Sequence, residues 1–295
     1  MAERSNARGI LAMVASCVAF VVGDAAMKVS MGDGLPPFEV LTIRGIVASL
    51  TCMVAIVVLG QAGALRHALN RWVLIRAAAE TAALFCFIQA LPRMPQGDLT
   101  AIFQISPLLV VVGAAVIFGE RIGPAMTGFL ALGFAGALLV AQPGAAGGYA
   151  AAPLGLIGAV LVAGRDLAAR RTPAGVPTLV ATLTTLVMVL VAAASASALV
   201  EAPVWPVGRT PWLLVLAGVL VMAANFLVIH ALRVAEIGVL APFFYTFTLA
   251  AMLAGYVVFG DVPNRLAMAG IALIVASGIA VLLLDAQGKR RAAAG

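Results

Sequence analysis

Charge is what this chain has least of: only 10% of its 295 residues are Asp, Glu, Lys or Arg, 63% are hydrophobic, and the mean hydropathy is +1.13. A soluble domain carries about 25% charged residues, so a water-facing surface is excluded and a bilayer is the solvent that fits. Lysine is almost missing. Lys28 is followed by Val29 and Lys289 by Arg290, so neither stands in the Gly-Lys-Ser/Thr of a phosphate-binding loop, and no ATP-driven engine is encoded. The two histidines, His67 and His230, lie far apart, and no Cys or His pair has metal-ligand spacing. No metal, cofactor or catalytic residue is expected. Cys17, Cys52 and Cys86 are odd in number and fall inside apolar runs, where thiols pack as small hydrophobes and make no disulfide framework. A net charge of +6 and a pI of 9.9 would suggest a nucleic-acid partner in a soluble protein. Here a bias of cations toward one membrane face accounts for them, and no nucleic acid is implied.

What the chain has instead is long apolar runs. A span needs about 20 apolar residues to cross about 30 Å of hydrocarbon. Ten such runs are present: Gly9 to Met27, Pro37 to Leu59, Trp72 to Leu91, Leu99 to Phe118, Pro124 to Ala141, Pro153 to Ala169, Val176 to Val200, Pro211 to Leu232, Ile237 to Phe259 and Arg265 to Leu284. Turn chemistry separates them, as at Gly32-Asp33-Gly34-Leu35-Pro36-Pro37, Pro92-Arg93-Met94-Pro95, Gln142-Pro143-Gly144 and Asp261-Val262-Pro263-Asn264. The first run follows Arg4 and Arg8 like a signal peptide but lacks a small-residue cleavage site, so it reads as a retained helix. With the N-terminus in the cytoplasm, eleven cations fall on that side (Arg4, Arg8, Arg66, Arg71, Arg121, Arg170, Arg171, Arg233, Lys289, Arg290, Arg291) and four on the other (Lys28, Arg93, Arg209, Arg265). Both termini are therefore expected in the cytoplasm.

The chain also repeats itself. Phe118-Gly119-Glu120 closes run four and Phe259-Gly260-Asp261 closes run nine; Ala90-Leu91 and Ala231-Leu232 precede them; Gly128 and Gly136 in run five match Gly270 and Gly278 in run ten. Five spans per copy is an odd number, so the second copy must insert upside down, as in the inverted repeats of secondary transporters. These features, with the proline inside run four, resemble the drug/metabolite transporter superfamily, and within it the EamA family, whose members include the YddG-type amino-acid exporters. The resemblance covers nearly the whole chain. It implies an all-α integral membrane protein of ten transmembrane helices, with one repeat over residues 1–145 and a second over residues 146–295. The second half departs from the first at Asp261, at one residue added before Gly270, and at Pro242, which lies nearer its helix start than Pro107.

A charge inside a span costs at least about 2.5–3.5 kcal/mol, so each one needs a partner, an interface or a function. Glu80 lies nine residues past Arg71, about 13 Å deep; it is either the ion-pair partner of Arg76 one turn earlier or a substrate-ammonium or proton site. Asp24 and Lys28 sit one turn apart as a structural pair that also offers Asp24 to a substrate. Arg44, about 10 Å inside run two, faces a carboxylate or a cavity. Arg165 and Asp166 are expected to mark the interface beside Arg170 and Arg171, and His230 likewise. Gln89, Gln104, Asn225 and Tyr245 are ordinary interhelical glue one at a time. The fold implied by the resemblance gathers their four helices around one cavity, which makes them a candidate substrate site. Pro107 and Pro242 remove helix hydrogen bonds at corresponding places in the two halves, and act either as gate hinges or as static kinks. Ala272, Ala276 and Ala280 in run ten, with Ala131 and Ala135 in run five, are spaced for close helix packing in a scaffold or dimer face.

A secondary transporter of the inner membrane is the reading these features favour, exporting amino acids or related metabolites as the resemblance implies, with a monomer or homodimer in the bilayer and protons as a possible coupling ion. A nucleoside, sugar or drug-like substrate is the alternative. A lipid enzyme would need clustered acid, base or metal groups near one interface, and a channel a repeated filter; the sequence displays neither.

Overall fold

A computed structural model describes residues 6–90, 102–119, 123–141, 152–259 and 265–294. Arg93, Glu120, Asp261 and the turns at 92–95, 142–144 and 261–264 lie outside the described residues. The described residues fold into helices without a strand: α1 (Asn6–Gly32), α2 (Pro37–Val58), a 3-10 helix (Ala62–Leu69), α3 (Arg71–Ala90), α4 (Ser106–Phe118), α5 (Pro124–Ala141), α6 (Ala152–Arg171), α7 (Thr178–Val200) and α8 (Thr210–Val234), then a segmented tract and a last helix. That tract comprises α9 (Ile237–Leu240), a 3-10 turn (Ala241–Tyr245), α10 (Thr246–Ala254) and a π turn (Gly255–Phe259), followed by α11 (Arg265–Ala294). Each of the ten apolar runs corresponds to one helical tract. Among the described residues six tracts are long and apolar enough to cross a membrane, and three more apolar helices are shorter.

The surface is inverted relative to a soluble protein. Leu50, Val54, Val58, Val116 and Leu199 point outward while Arg44, Arg76 and Asp166 are buried. That partition suits an outer face dissolved in acyl chains, where apolar exposure costs nothing and charge is excluded.

Two of the tracts are broken beside a proline. Gln104 and Ile105 form a turn immediately before α4, and Pro107 occupies the first turn of that helix. Pro242 opens the 3-10 turn between α9 and α10. Each ring thus stands where the helix has no N–H to lose, and separates two segments in place of bending one. Gly119 ends α4 in the left-handed region at φ 67°, which explains the glycine of the Phe-Gly-Glu ending.

The packing pairs helices in an exchange-symmetric way. Extensive contacts join α1 to α8, α3 to α6 and α5 to α11; α2 packs on α8 as α3 packs on α7, and α1 meets α10 as α6 meets α4. Exchanging each tract with the one five places later turns each of these contacts into another, and α5 on α11 into itself. α1 and α8 run antiparallel along their whole length: Glu236 N donates to Asn6 Oδ1 (3.4 Å), Ser16 Oγ to Ala224 O (2.8 Å), and Arg209 Nη2 to Asp33 Oδ1 (2.8 Å) at the opposite end. α5 packs on α11 through glycine: a Cβ at Gly136 would stand 2.7 Å from the Gly270 carbonyl oxygen. The alanine spacing does not make this seam, because Ala272 and Ala276 are exposed on the far side of α11.

Candidate substrate-binding site

Glu80 on α3 meets Arg165 on α6, whose Nη1 donates to Glu80 Oε2 at 2.6 Å. Arg165 also grips its neighbour Asp166 with two nitrogens, Nε to Oδ1 at 2.7 Å and Nη2 to Oδ2 at 3.2 Å. A planar guanidinium spreads five donors in a fork, so one arginine here neutralises part of two carboxylates at once. Asp166 is fully buried. Counted from Arg71 and Arg171, these groups lie about 8–13 Å inside the helix ends, well within the hydrocarbon.

Arg76, one turn before Glu80, does not form the ion pair that is one of the two readings of Glu80. It turns across the bundle: Nη1 donates to Thr185 Oγ1 on α7 (2.7 Å) and Nη2 to Asn225 Oδ1 on α8 (3.3 Å), with no exposed surface and with Nε lacking a partner. Asn225 completes the link by donating Nδ2 to Val221 O. On the other side of Glu80, Arg44 of α2 reaches Asp24 of α1 at 3.5 Å and lies within electrostatic range of Glu80. Arg44 and Asp24 sit about 10–12 Å from the opposite helix ends. Glu80 therefore stands between two cation groups. Asp24, Glu80 and Asp166 balance Arg44, Arg76 and Arg165, giving three carboxylates and three guanidiniums across the middle of the bundle, all largely enclosed except the half-exposed Asp24.

The structure thus places Asp24 with Arg44, Glu80 with Arg165 and Asp166, and Asn225 with Arg76 and Thr185, three bonded groups within electrostatic range of one another. It does not bring the other amides and the phenol to them. Gln89 is exposed near the end of α3, and Gln104 is buried in the turn before α4 with Nε2 unpartnered. Tyr245 is fully buried with its ring 6.4 Å from that of Phe134 and against Gly133, on the α5 side. Arg165 and Asp166, expected at an interface, are the buried centre. His230 stacks on Phe226 at 6.1 Å. Arg76, Arg165 and Thr185 are the residues that sequence reasoning missed as site members. A signal for two of them exists: the 141-residue offset between Ala90-Leu91 and Ala231-Leu232 also places Gly23-Asp24 on Gly164-Arg165 and Arg44 on Thr185, whereas Arg76 falls on Ala217.

Charges nearer the surface are occupied differently. Asp33 and Arg209 form a two-pronged pair at 2.8 and 2.9 Å, and the guanidinium holds the Asp33 carboxyl below its ordinary range. A cleft of about 450 Å³ between α2 and α7 contains Glu39 and Glu201. Their carboxylates are committed to backbone, Glu201 accepting from Phe38 N and Glu39 N and Glu39 accepting from Val204 N. That cleft is a capped helix end.

Residues 7–142 match the EamA-like transporter family. The chain is 27% identical over 290 residues to the riboflavin transporter of Vibrio cholerae, with 96% of each chain covered. It is 28% identical over 285 residues to the pseudopaline exporter CntI of Pseudomonas aeruginosa, covering 92% of this chain and 95% of the relative. A solved crystal structure shares the fold with a TM-score of 0.82 at 24% identity, over 96% of this chain and 99% of the other.

Proposed function

We propose that this chain, whose residues 7–142 match the EamA-like transporter family and which is similar over nearly its whole length to small-molecule transporters, is a multi-pass membrane transporter that exports a small metabolite carrying both charge signs, an amino acid or a close relative. The observation that carries this reading is the neutral column of paired charges around Glu80 and Arg165. A zwitterion offers a carboxylate to Arg165 or Arg44 and an ammonium to Glu80 or Asp24. It can therefore replace an internal ion pair without leaving a charge unpaired in hydrocarbon. Transport follows from alternating access between two inverted repeats, residues 1–145 and 146–295, in the inner membrane with both termini cytoplasmic. The protein acts as a transporter and not as an enzyme.

A second reading has its own support, because relatives matched over nearly the whole chain are named for riboflavin and pseudopaline. Riboflavin is uncharged at neutral pH and would engage the donors of Arg76, Thr185 and Asn225 while leaving the ion pairs closed. The test is uptake into liposomes holding the purified protein, with labelled amino acids, nucleosides, sugars and riboflavin, with and without a pH gradient. Amino-acid uptake supports the first reading. Riboflavin uptake alone replaces it with the second, and transport of none by folded protein overturns both.

A further inference from the structure

At the end of the bundle where α3 begins and α4 and α6 finish, cations and aromatic rings alternate. The Arg71 guanidinium lies 5.3 Å from the centre of the Trp72 ring and that of Arg171 lies 5.4 Å from the same ring. Arg171 is also 5.4 Å from the Phe118 ring, and Arg170 lies 5.5 Å from it. Asn70 Oδ1 accepts from Trp72 N and so fixes the start of α3. Arg171 is further anchored by donating Nη2 to Ile117 O (3.2 Å).

Arg71 and Arg171 are exposed and Trp72 is half-buried. Two like charges over one ring repel each other, and the ring's negative face recovers only part of that cost. Among the described residues, the nearest carboxylates along the same helices are Glu80 and Asp166, which Arg165 holds about one and a half to two and a half turns deeper. The ring and the apolar flanks of α3 and α6 fix this patch at headgroup depth, where tryptophan concentrates. A guanidinium fork suits phosphate oxygens, and basic pockets between transmembrane helices suit anionic headgroups.

We propose that Arg71, Trp72 and Arg171 form a binding site for the phosphate group of an anionic phospholipid. The lipid lies with its headgroup between the two guanidiniums and its acyl chains along α3 and α6. It would clamp the cytoplasmic end of the same helix pair that carries Glu80 and Arg165.

The test uses the purified full-length chain in neutral detergent, with its melting temperature measured on adding phosphatidylglycerol, phosphatidylcholine or inorganic phosphate. Phosphatidylglycerol is expected to raise the melting temperature where phosphatidylcholine does not. Arg71→Gln with Arg171→Gln should weaken the phosphatidylglycerol effect, read as the shift from each protein's own lipid-free melting temperature, at least about tenfold. Native mass spectrometry should find phosphatidylglycerol retained by the wild type and lost from the double variant. Equal effects of the two lipids, or an undiminished effect in the double variant, would overturn the site. Equal protection by inorganic phosphate would overturn the lipid as its source.

Discussion

Arg165 shows how much a single side chain can hold in a medium that cannot solvate charge. It is bonded to Glu80 and Asp166 together, so Arg165→Ala strands two carboxylates where a broken buried pair costs about 3–5 kcal/mol. A clear fall in thermal stability is expected, and a smaller fall when the same change is made in a Glu80→Gln background, because one of the stranded charges is already gone. Equal losses in the two backgrounds would mean that Glu80 and Arg165 are not coupled. Glu80→Gln alone removes the carboxylate that stands between the two cation groups. It is expected to abolish the pH dependence of transport, and unchanged transport with an unchanged pH response would exclude coupling through Glu80. Asp33 gives a simpler pH signature outside the membrane. Arg209 lowers its carboxyl pKa in the folded state, so the stabilisation is present above the unfolded value of about 3.9. It fades as pH falls through the lower folded value. Arg209→Gln should flatten that acid limb of a melting-temperature profile, and an identical limb would show the pair contributes nothing.

At the scale of elements, the broken tracts make a sharper statement about motion than a bent helix would. Pro107 follows a non-helical turn at Gln104 and Ile105, and Pro242 opens a 3-10 turn, so both joints have already lost helix hydrogen bonds. Pro107→Ala restores an N–H that can extend α4 backward across the turn. Transport is then expected to slow more than substrate binding weakens, measured as uptake rate against equilibrium binding in the same preparation; equal losses would argue for a static kink. The joints were legible because proline and glycine act locally, through φ and a missing donor. So were the spans, whose length is set by the bilayer. The site was legible only in part. Glu80, Arg44 and Asp24 were visible as charges in apolar runs, but whether Arg76 turns to Glu80 one turn away or to Thr185 and Asn225 on other helices depends on tertiary packing. The alanine spacing marks a face that the α5–α11 seam does not use, because periodicity marks a face and only the partner decides which face is covered.

The whole molecule reads as two mixed helix pairs more than as two halves side by side. α1 is laced to α8 from Asn6 to Asp33, and α3 to α6 by Glu80 with Arg165 and by Trp72 with Arg171. Each pair takes one helix from each repeat, and the repeat exchange converts one pair into the other. The hydrogen bond from Arg76 to Asn225 crosses between them. If each pair moves as one body, alternating access is a rocking of α1 and α8 against α3 and α6, with the charge column at the boundary. Tying α1 to α8 should then cost nothing in transport. Ser16→Cys with Ala224→Cys, in a chain whose Cys17, Cys52 and Cys86 are replaced by serine, puts one thiol on each helix at the level where Ser16 Oγ now donates to the Ala224 backbone carbonyl at 2.8 Å. Closing that pair with an oxidant or a short bismaleimide is expected to leave uptake close to that of the uncrosslinked variant. Loss of uptake on crosslinking, recovered on reducing the disulfide, would show that α1 and α8 slide past each other during the cycle and that the moving bodies are divided elsewhere.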